Sequence, residues 1–200
     1  MNPDFTARCG QFRQLLAEAN RTMNLTRIES ERDFEIKHVA DSLSVADSFP
    51  FLRTEHLKVA DVGCGAGFPS VILALAFPNL DITAIDSTGK KVAFVARVID
   101  ELGIPNLHAV LGRSCELARR PEWQEKFKIV TARAVGSAPK IYSEAAKLLA
   151  PGGHFILYKT PLQAAQELPD LLRTAPRRNW KLTESFELPE ASGARCFLYF

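Results

Sequence analysis

Two carboxylates and three closely spaced glycines stand where this chain could do chemistry. The string Asp61-Val62-Gly63-Cys64-Gly65-Ala66-Gly67 follows a short apolar run and precedes a stretch of helical character. Glycines at such a junction let the backbone turn sharply and let a ligand reach the peptide groups, while the first helical turn offers free N–H donors. A dinucleotide loop, G-x-G-x-x-G/A, counted from Gly63 requires a small residue at position 68, and Phe68 is there instead. Asp61 argues the same way, because a carboxylate at the strand end repels a pyrophosphate and attracts an ammonium group. Asp86 closes the next apolar run, about 20 residues beyond the glycines, where a carboxylate can accept both hydroxyls of a ribose. An acid that opens a turn and caps the following helix is the competing reading of Asp86.

The other reactive side chains carry weaker signals. Cys9, Cys64, Cys115 and Cys196 are far apart and show no metal-ligand or disulfide spacing, so four free thiols and no metal site are expected. Cys64 and Cys115 lack the surroundings of a nucleophilic thiolate, and no nucleophile and base pair stands out. His38 and Asp41 lie three apart and could share one face of a helix, where a structural hydrogen bond is the favoured reading. Arg113 and Arg133 suit a carboxylate or phosphate, or a surface ion pair. Lys37, Lys90, Lys91 and Arg97 could form a phosphate-contacting rim or a solvated helix face. Phe68, Phe77 and Phe94 could all be core, and of the three only Phe68 is a serious candidate for lining a pocket. The formal charge of +2 permits a nucleic-acid partner without announcing one.

These groups need a scaffold, and the apolar pattern supplies an α/β one. Short apolar runs at residues 57–62, 80–85, 107–111, 128–132 and 154–158 alternate with helical stretches at 69–77, 89–102, 138–149 and 161–172, the signature of βαβ units around a parallel sheet. Two last extended stretches, 180–188 and 196–200, have no helix between them and are expected to form an antiparallel hairpin at the sheet edge. Ahead of the sheet, Phe5, Cys9, Phe12, Leu15, Leu16 and Met23 mark an amphipathic helix to about Asn20. Ser30, with Asp33 three residues on, starts a second helix through Phe34, Ile36, Val39 and Leu43 to about Ala46. A helical extension over 1–50 packed on a core domain over 51–200, one structural domain overall, is expected. Residues 1–8 lack the basic start and apolar run of a secretory signal and no window is apolar enough to span a bilayer, so a cytoplasmic protein without a membrane is expected.

The acidic-x-Gly-x-Gly-x-Gly string resembles the first motif of class I methyltransferases. With it, Asn24-Leu25-Thr26, Lys37-His38-Val39-Ala40-Asp41-Ser42, Phe68-Pro69, the run from Asp86 to Phe94, Arg113 and Ala132-Arg133-Ala134 are similar in order and spacing to the glucose-inhibited division protein B (RsmG) family. That resemblance implies a Rossmann-like doubly wound sheet and transfer of a methyl group from S-adenosyl-L-methionine to N7 of a guanine in 16S ribosomal RNA of the small subunit. A monomer is expected. The implied cofactor residues are Asp61, Gly63, Gly65, Gly67, Phe68, Asp86, Ser114, Cys115 and Arg133, with the backbone N–H groups of Ser114 and Cys115 at the adenine. The implied substrate-side residues are Asn24, His38, Lys90, Arg113 and Lys159. The chain departs from the family pattern at Ala19, Ser70-Val71-Ile72, Cys115 and Thr160. Attack by N7 uses a free lone pair, so positioning can carry the rate without a general base. The alternatives are a class I methyltransferase of a small molecule or protein, a nicotinamide-dependent oxidoreductase disfavoured by Phe68 and Asp61, and a non-catalytic RNA-binding protein.

Overall fold

The computed structural model describes residues 4–26 and 30–200. Part of the N-terminal stretch read for a secretory signal, residues 1–3, therefore lies outside the described residues. Helix α1 (Phe5–Met23) buries Phe5, Cys9, Phe12, Leu16 and Ala19, a stripe at three- and four-residue intervals. It runs one turn past the expected end and stops at Asn24, whose left-handed backbone (φ 50°) lets its N–H reach the Asn20 carbonyl.

Ser30 caps α2 (Glu31–Asp33) as its position predicts, accepting the Asp33 N–H on its hydroxyl. The single helix expected from there to about Ala46 is present as a helical run to Ser48, with αR backbone at each junction, but its hydrogen-bond pattern changes within it. A π-helix, Phe34–Ala40, leads into α3 (Asp41–Leu43) and α4 (Val45–Ser48), and the Asp41 N–H reaches the Ile36 carbonyl five residues back. Apolar spacing marks the face a helix buries and says little about which carbonyl each N–H takes.

The sheet begins with β1 (Leu57–Val62) and continues through α5 (Ser70–Ala76), β2 (Leu80–Asp86), α6 (Gly89–Leu102), β3 (Leu107–Leu111), α7 (Ser114–Leu117), β4 (Phe127–Arg133), α8 (Ala138–Ala145), β5 (Leu149–Lys159) and α9 (Pro161–Thr174). Short strands β6 (Lys181–Leu182) and β7 (Phe186–Glu187) and the longer β8 (Ala194–Tyr199) complete it. The order is β3-β2-β1-β4-β5-β8-β6; β1 to β5 are parallel and β8 runs antiparallel to β5.

The edge differs in detail from a simple hairpin. Thr183 interrupts the expected strand: its own N–H donates to the Phe197 carbonyl, but its hydroxyl, in place of a backbone carbonyl, accepts the Phe197 N–H. A 3-10 turn at Pro189–Ala191 then lies where no helix was expected. Strand β5 starts at Leu149, five residues ahead of the expected run, and the Pro151-Gly152-Gly153 cluster, a helix stop in sequence, forms a bulge inside it: Gly152 has φ 67° and the pairing with β4 shifts between Phe127 and Ile129. Gly153 permits it, since a Cβ there would come within 2.6 Å of the Lys128 carbonyl oxygen.

The helices cover both faces, as a doubly wound sheet demands. Helix α5 is buried along its whole length. Phe12 of α1, fully buried, stacks on Phe94 of α6 and touches Phe68, so the N-terminal helices share the core of one sheet face. Among the described residues, no helix is long and apolar enough to cross a membrane. The four cysteines are free thiols.

Candidate functional site

Strand order reverses between β1 and β4, so the segments leaving their carboxyl ends part and open a cleft. Its volume is about 480 Å³. Gly63 lines it from the β1 loop, Asp86 with Ser87 and Thr88 from β2, Arg113, Ser114 and Cys115 from β3, and Ala134 and Val135 from β4. Lys140, Ile141 and Glu144 of α8 close the far side.

The glycine loop is pinned to the end of β2. The N–H groups of Gly63 and Cys64 donate to the Ile85 carbonyl at 2.7 and 3.0 Å. Asp86 does more than either reading of it alone: Oδ2 accepts the Gly65 N–H (3.0 Å) and Oδ1 accepts the Thr88 N–H (2.8 Å) at the mouth of α6. A carboxylate has about four acceptor positions, so two remain for ligand hydroxyls. Lys91 Nζ lies 4.0 Å away and offsets its charge. Gly63 has φ 72°, and a Cβ on it would meet Val135 at 2.5 Å. Only glycine allows that backbone and that contact together.

Asp61 lies behind the loop, 1% exposed and outside the cleft lining. Its Oδ2 accepts the Ser70 hydroxyl, and its buried Oδ1 has no hydrogen-bond partner among the described residues. Burial pushes its carboxyl up to about 7, against the lowering effect of Ser70 and Arg133. Gly65 and Gly67 shape the loop without lining the cleft.

A second cluster joins the N-terminal helices to the loop. His38 stacks flat on Phe68, ring centroids 3.9 Å apart, and Phe34 meets Phe68 edge-on. Arg133 donates to Asp41 Oδ2 (2.8 Å), the Lys37 carbonyl (3.1 Å) and His38 Nδ1 (3.0 Å), with its guanidinium 5.3 Å from the Phe68 ring. Because Nδ1 accepts, the neutral ring carries its proton on Nε2, which donates to Thr26 Oγ1 at 3.1 Å. Burial and then Arg133 hold His38 down at about 3, so it is neutral across the ordinary pH range. The shared face expected of His38 and Asp41 thus exists, and Arg133 is what they share. Arg195 adds a bond to Asp41 Oδ1 at 3.0 Å.

Of the residues implied for cofactor and substrate, the cleft gathers Gly63, Asp86, Arg113, Ser114 and Cys115. Phe68 and Arg133 belong to the second cluster, and His38 with them. Asn24 is exposed at the end of α1, and Lys90 donates to the neighbouring Met23 carbonyl at 3.2 Å. Lys159 is buried and paired with Glu167. Sequence reasoning missed Val135, Lys140 and Glu144. The Gly136-Ser137-Ala138-Pro139 helix start was the available signal, since a helix opening just after a parallel strand presents its first turns to the site.

A family model described as rRNA small subunit methyltransferase G, GidB, matches residues 6–177. The ribosomal RNA small subunit methyltransferase G of Lysinibacillus sphaericus is 34% identical over 192 residues, covering 95% of this chain and 79% of that protein. The protein of the same name from Lactobacillus delbrueckii subsp. bulgaricus is 37% identical over 155 residues, covering 78% of this chain and 64% of its own length. So this chain matches less than two thirds of the Lactobacillus protein. Among solved structures, a SAM dependent methyltransferase from Aquifex aeolicus superposes with a TM-score of 0.62 at 15% identity, covering 88% of this chain and 95% of that one. At that identity the likeness shows the fold alone, the Rossmann-like class I methyltransferase fold.

Proposed function

The chain belongs to the GidB family of rRNA small subunit methyltransferases G, and on that premise we propose that it methylates N7 of a guanine in 16S ribosomal RNA, using S-adenosyl-L-methionine. The carrying observation is the coincidence of the family match over residues 6–177 with a cleft at the carboxyl ends of β1 to β4. The donor set fits the cofactor. Asp61 has a buried oxygen, unpartnered among the described residues, one residue behind the Val62–Gly63 wall, Gly63 keeps that wall thin, and Asp86 has acceptor capacity to spare.

S-adenosylmethionine, when bound, supplies a methyl group on a sulfonium, to which a guanine N7 presents a lone pair with no proton to remove. Each residue then has a positioning task. Asp61 attracts the ammonium end, Asp86 accepts the ribose hydroxyls, and the N–H groups of Ser114 and Cys115 face the adenine. Arg113 and Lys140, both exposed on the cleft rim, offer charge to RNA phosphates or to guanine O6. An Arg bidentate to N7 and O6 would occupy the nucleophile, so contact through O6 or phosphate is the productive arrangement. His38, neutral and committed to Thr26 and Arg133, is left with a structural task, as chemistry that needs no base allows.

Phe68 and Arg133 act on the cofactor through the backbone that they brace, Asn24 and Lys90 act around the entrance rather than on the reacting atoms, and Lys159, buried against Glu167, acts from behind the cleft wall. The protein works in the cytoplasm as a monomer, its helical extension (1–50) and core domain (51–200) forming one unit. Mass spectrometry of 16S RNA from cells lacking the gene tests the reading. One 7-methylguanosine is expected to vanish and to return with the gene; an unchanged modification refutes the proposal.

A further inference from the structure

The segment after β4 is the part of the cleft wall held from a distance. Ala134 has φ 56°, a left-handed backbone that costs a non-glycine residue energy and persists only where the surroundings enforce it. Val135 next to it is 43% exposed, yet its methyl groups lie over Gly63 so closely that a Cβ there would collide with them. Two side chains from outside the segment hold its far end. Lys159 Nζ, at the end of β5, donates to the Gly136 carbonyl at 2.9 Å, and Glu167 of α9 accepts the Ala138 N–H. The two are ion-paired to each other at 2.7 Å, with side-chain exposures of 7% and 19%.

We propose that Lys159 and Glu167 are positioning residues, a buried clamp that holds Val135 over Gly63 and so sets the shape of the cofactor end of the cleft. The chemistry favours this over a direct role. A buried ammonium is stabilised only by groups that take up its charge and protons, and Lys159 spends its donors on a carboxylate and a carbonyl away from the cleft lining. Glu167 likewise spends its inward oxygen on Lys159 and on a backbone N–H at the first turn of α8, which also supplies Lys140 to the cleft. One pair thus couples β5, α9 and the two cleft-lining pieces Ala134–Val135 and α8.

The inference rests on the cofactor reading of the cleft, and its test separates the two. Titration of S-adenosylhomocysteine by calorimetry is compared for the wild type, the double variant Lys159→Met with Glu167→Leu, and Val135→Ala. Replacing both charges by apolar side chains leaves no unpaired buried ion, so folding is expected to survive; Val135→Ala alters a half-exposed side chain and spares the clamp. With the clamp removed, affinity is expected to fall about tenfold, with amide exchange at Gly136 to Ala138 faster and the melting temperature little changed. Val135→Ala is expected to weaken binding with exchange unchanged. Wild-type affinity in Val135→Ala overturns the inference, as does wild-type affinity in the double variant with exchange accelerated. A wild type that binds no S-adenosylhomocysteine overturns the cofactor reading, and the inference with it.

Discussion

The Ser70 hydroxyl donates to one oxygen of the Asp61 carboxylate, and the other oxygen of that carboxylate is buried without a partner among the described residues. The acid at the head of the glycine loop is therefore held half-satisfied, in an environment that pushes its carboxyl from an ordinary 3.8 to about 7. Between those two values the folded protein keeps a proton that the unfolded chain has released, so the contribution of Asp61 to stability falls as pH rises through the window and levels off above it. Asp61→Asn is expected to remove this slope, gaining on the wild type from acid to neutral pH in urea unfolding. Its affinity for S-adenosylhomocysteine should fall, and the wild type's rise toward pH 8 should be absent from the variant.

Gly63 is expected to tolerate nothing larger. Its left-handed backbone alone costs an alanine about 1–2 kcal/mol, and the added methyl group drives Val135 out of place. Gly63→Trp should abolish binding of the cofactor in calorimetry while RNA affinity in a filter assay changes little. Full cofactor affinity in that variant would remove the loop from the site.

Phe68 joins the glycine loop to Phe12, Phe34 and His38. Phe68→Ala should therefore destabilise the fold by about 3–5 kcal/mol, the usual cost of emptying a buried aromatic position. Urea denaturation measures it. A loss of cofactor affinity with stability intact would instead place the ring in the pocket.

Removing Arg133 leaves the Asp41 carboxylate, 4% exposed, with Arg195 as its remaining side-chain partner among the described residues. Arg133→Met is expected to cost about 3–5 kcal/mol, as breaking a buried pair from one side does. Lysine should not rescue it, because the fork that reaches Asp41, His38 and the Lys37 carbonyl at once is planar and rigid. Thermal unfolding of the two variants tests both statements.

On the cleft rim, Arg113→Ala and Lys140→Ala should weaken RNA binding while leaving S-adenosylhomocysteine affinity nearly unchanged. Each should reduce the salt dependence of RNA binding by about one phosphate contact. An unchanged salt slope in both variants would mean that RNA approaches from another side.

The α/β alternation was legible because it is local. Alternating runs of strand and helix length leave one compact solution, and β1, α6 and β3 begin and end where their apolar runs and their glycine and proline punctuation place them. Asp86 was legible for the same reason, standing at a strand end a fixed distance from the glycines. The π-helix, the broken edge strand and the bulged Gly152-Gly153 stretch were not, because they turn on individual hydrogen bonds and close contacts that periodicity does not encode.

By itself, then, the sequence determined the sheet, the glycine loop and the acids beside it. The tertiary structure alone decided which distant side chains meet that loop. Arg133 and Asp41 are 92 residues apart, and Lys159 reaches Gly136 across 23. Local pattern records which face of an element is buried; which face it is buried against depends on strand order, and pairing β4 with β1 is what brings Val135 over Gly63.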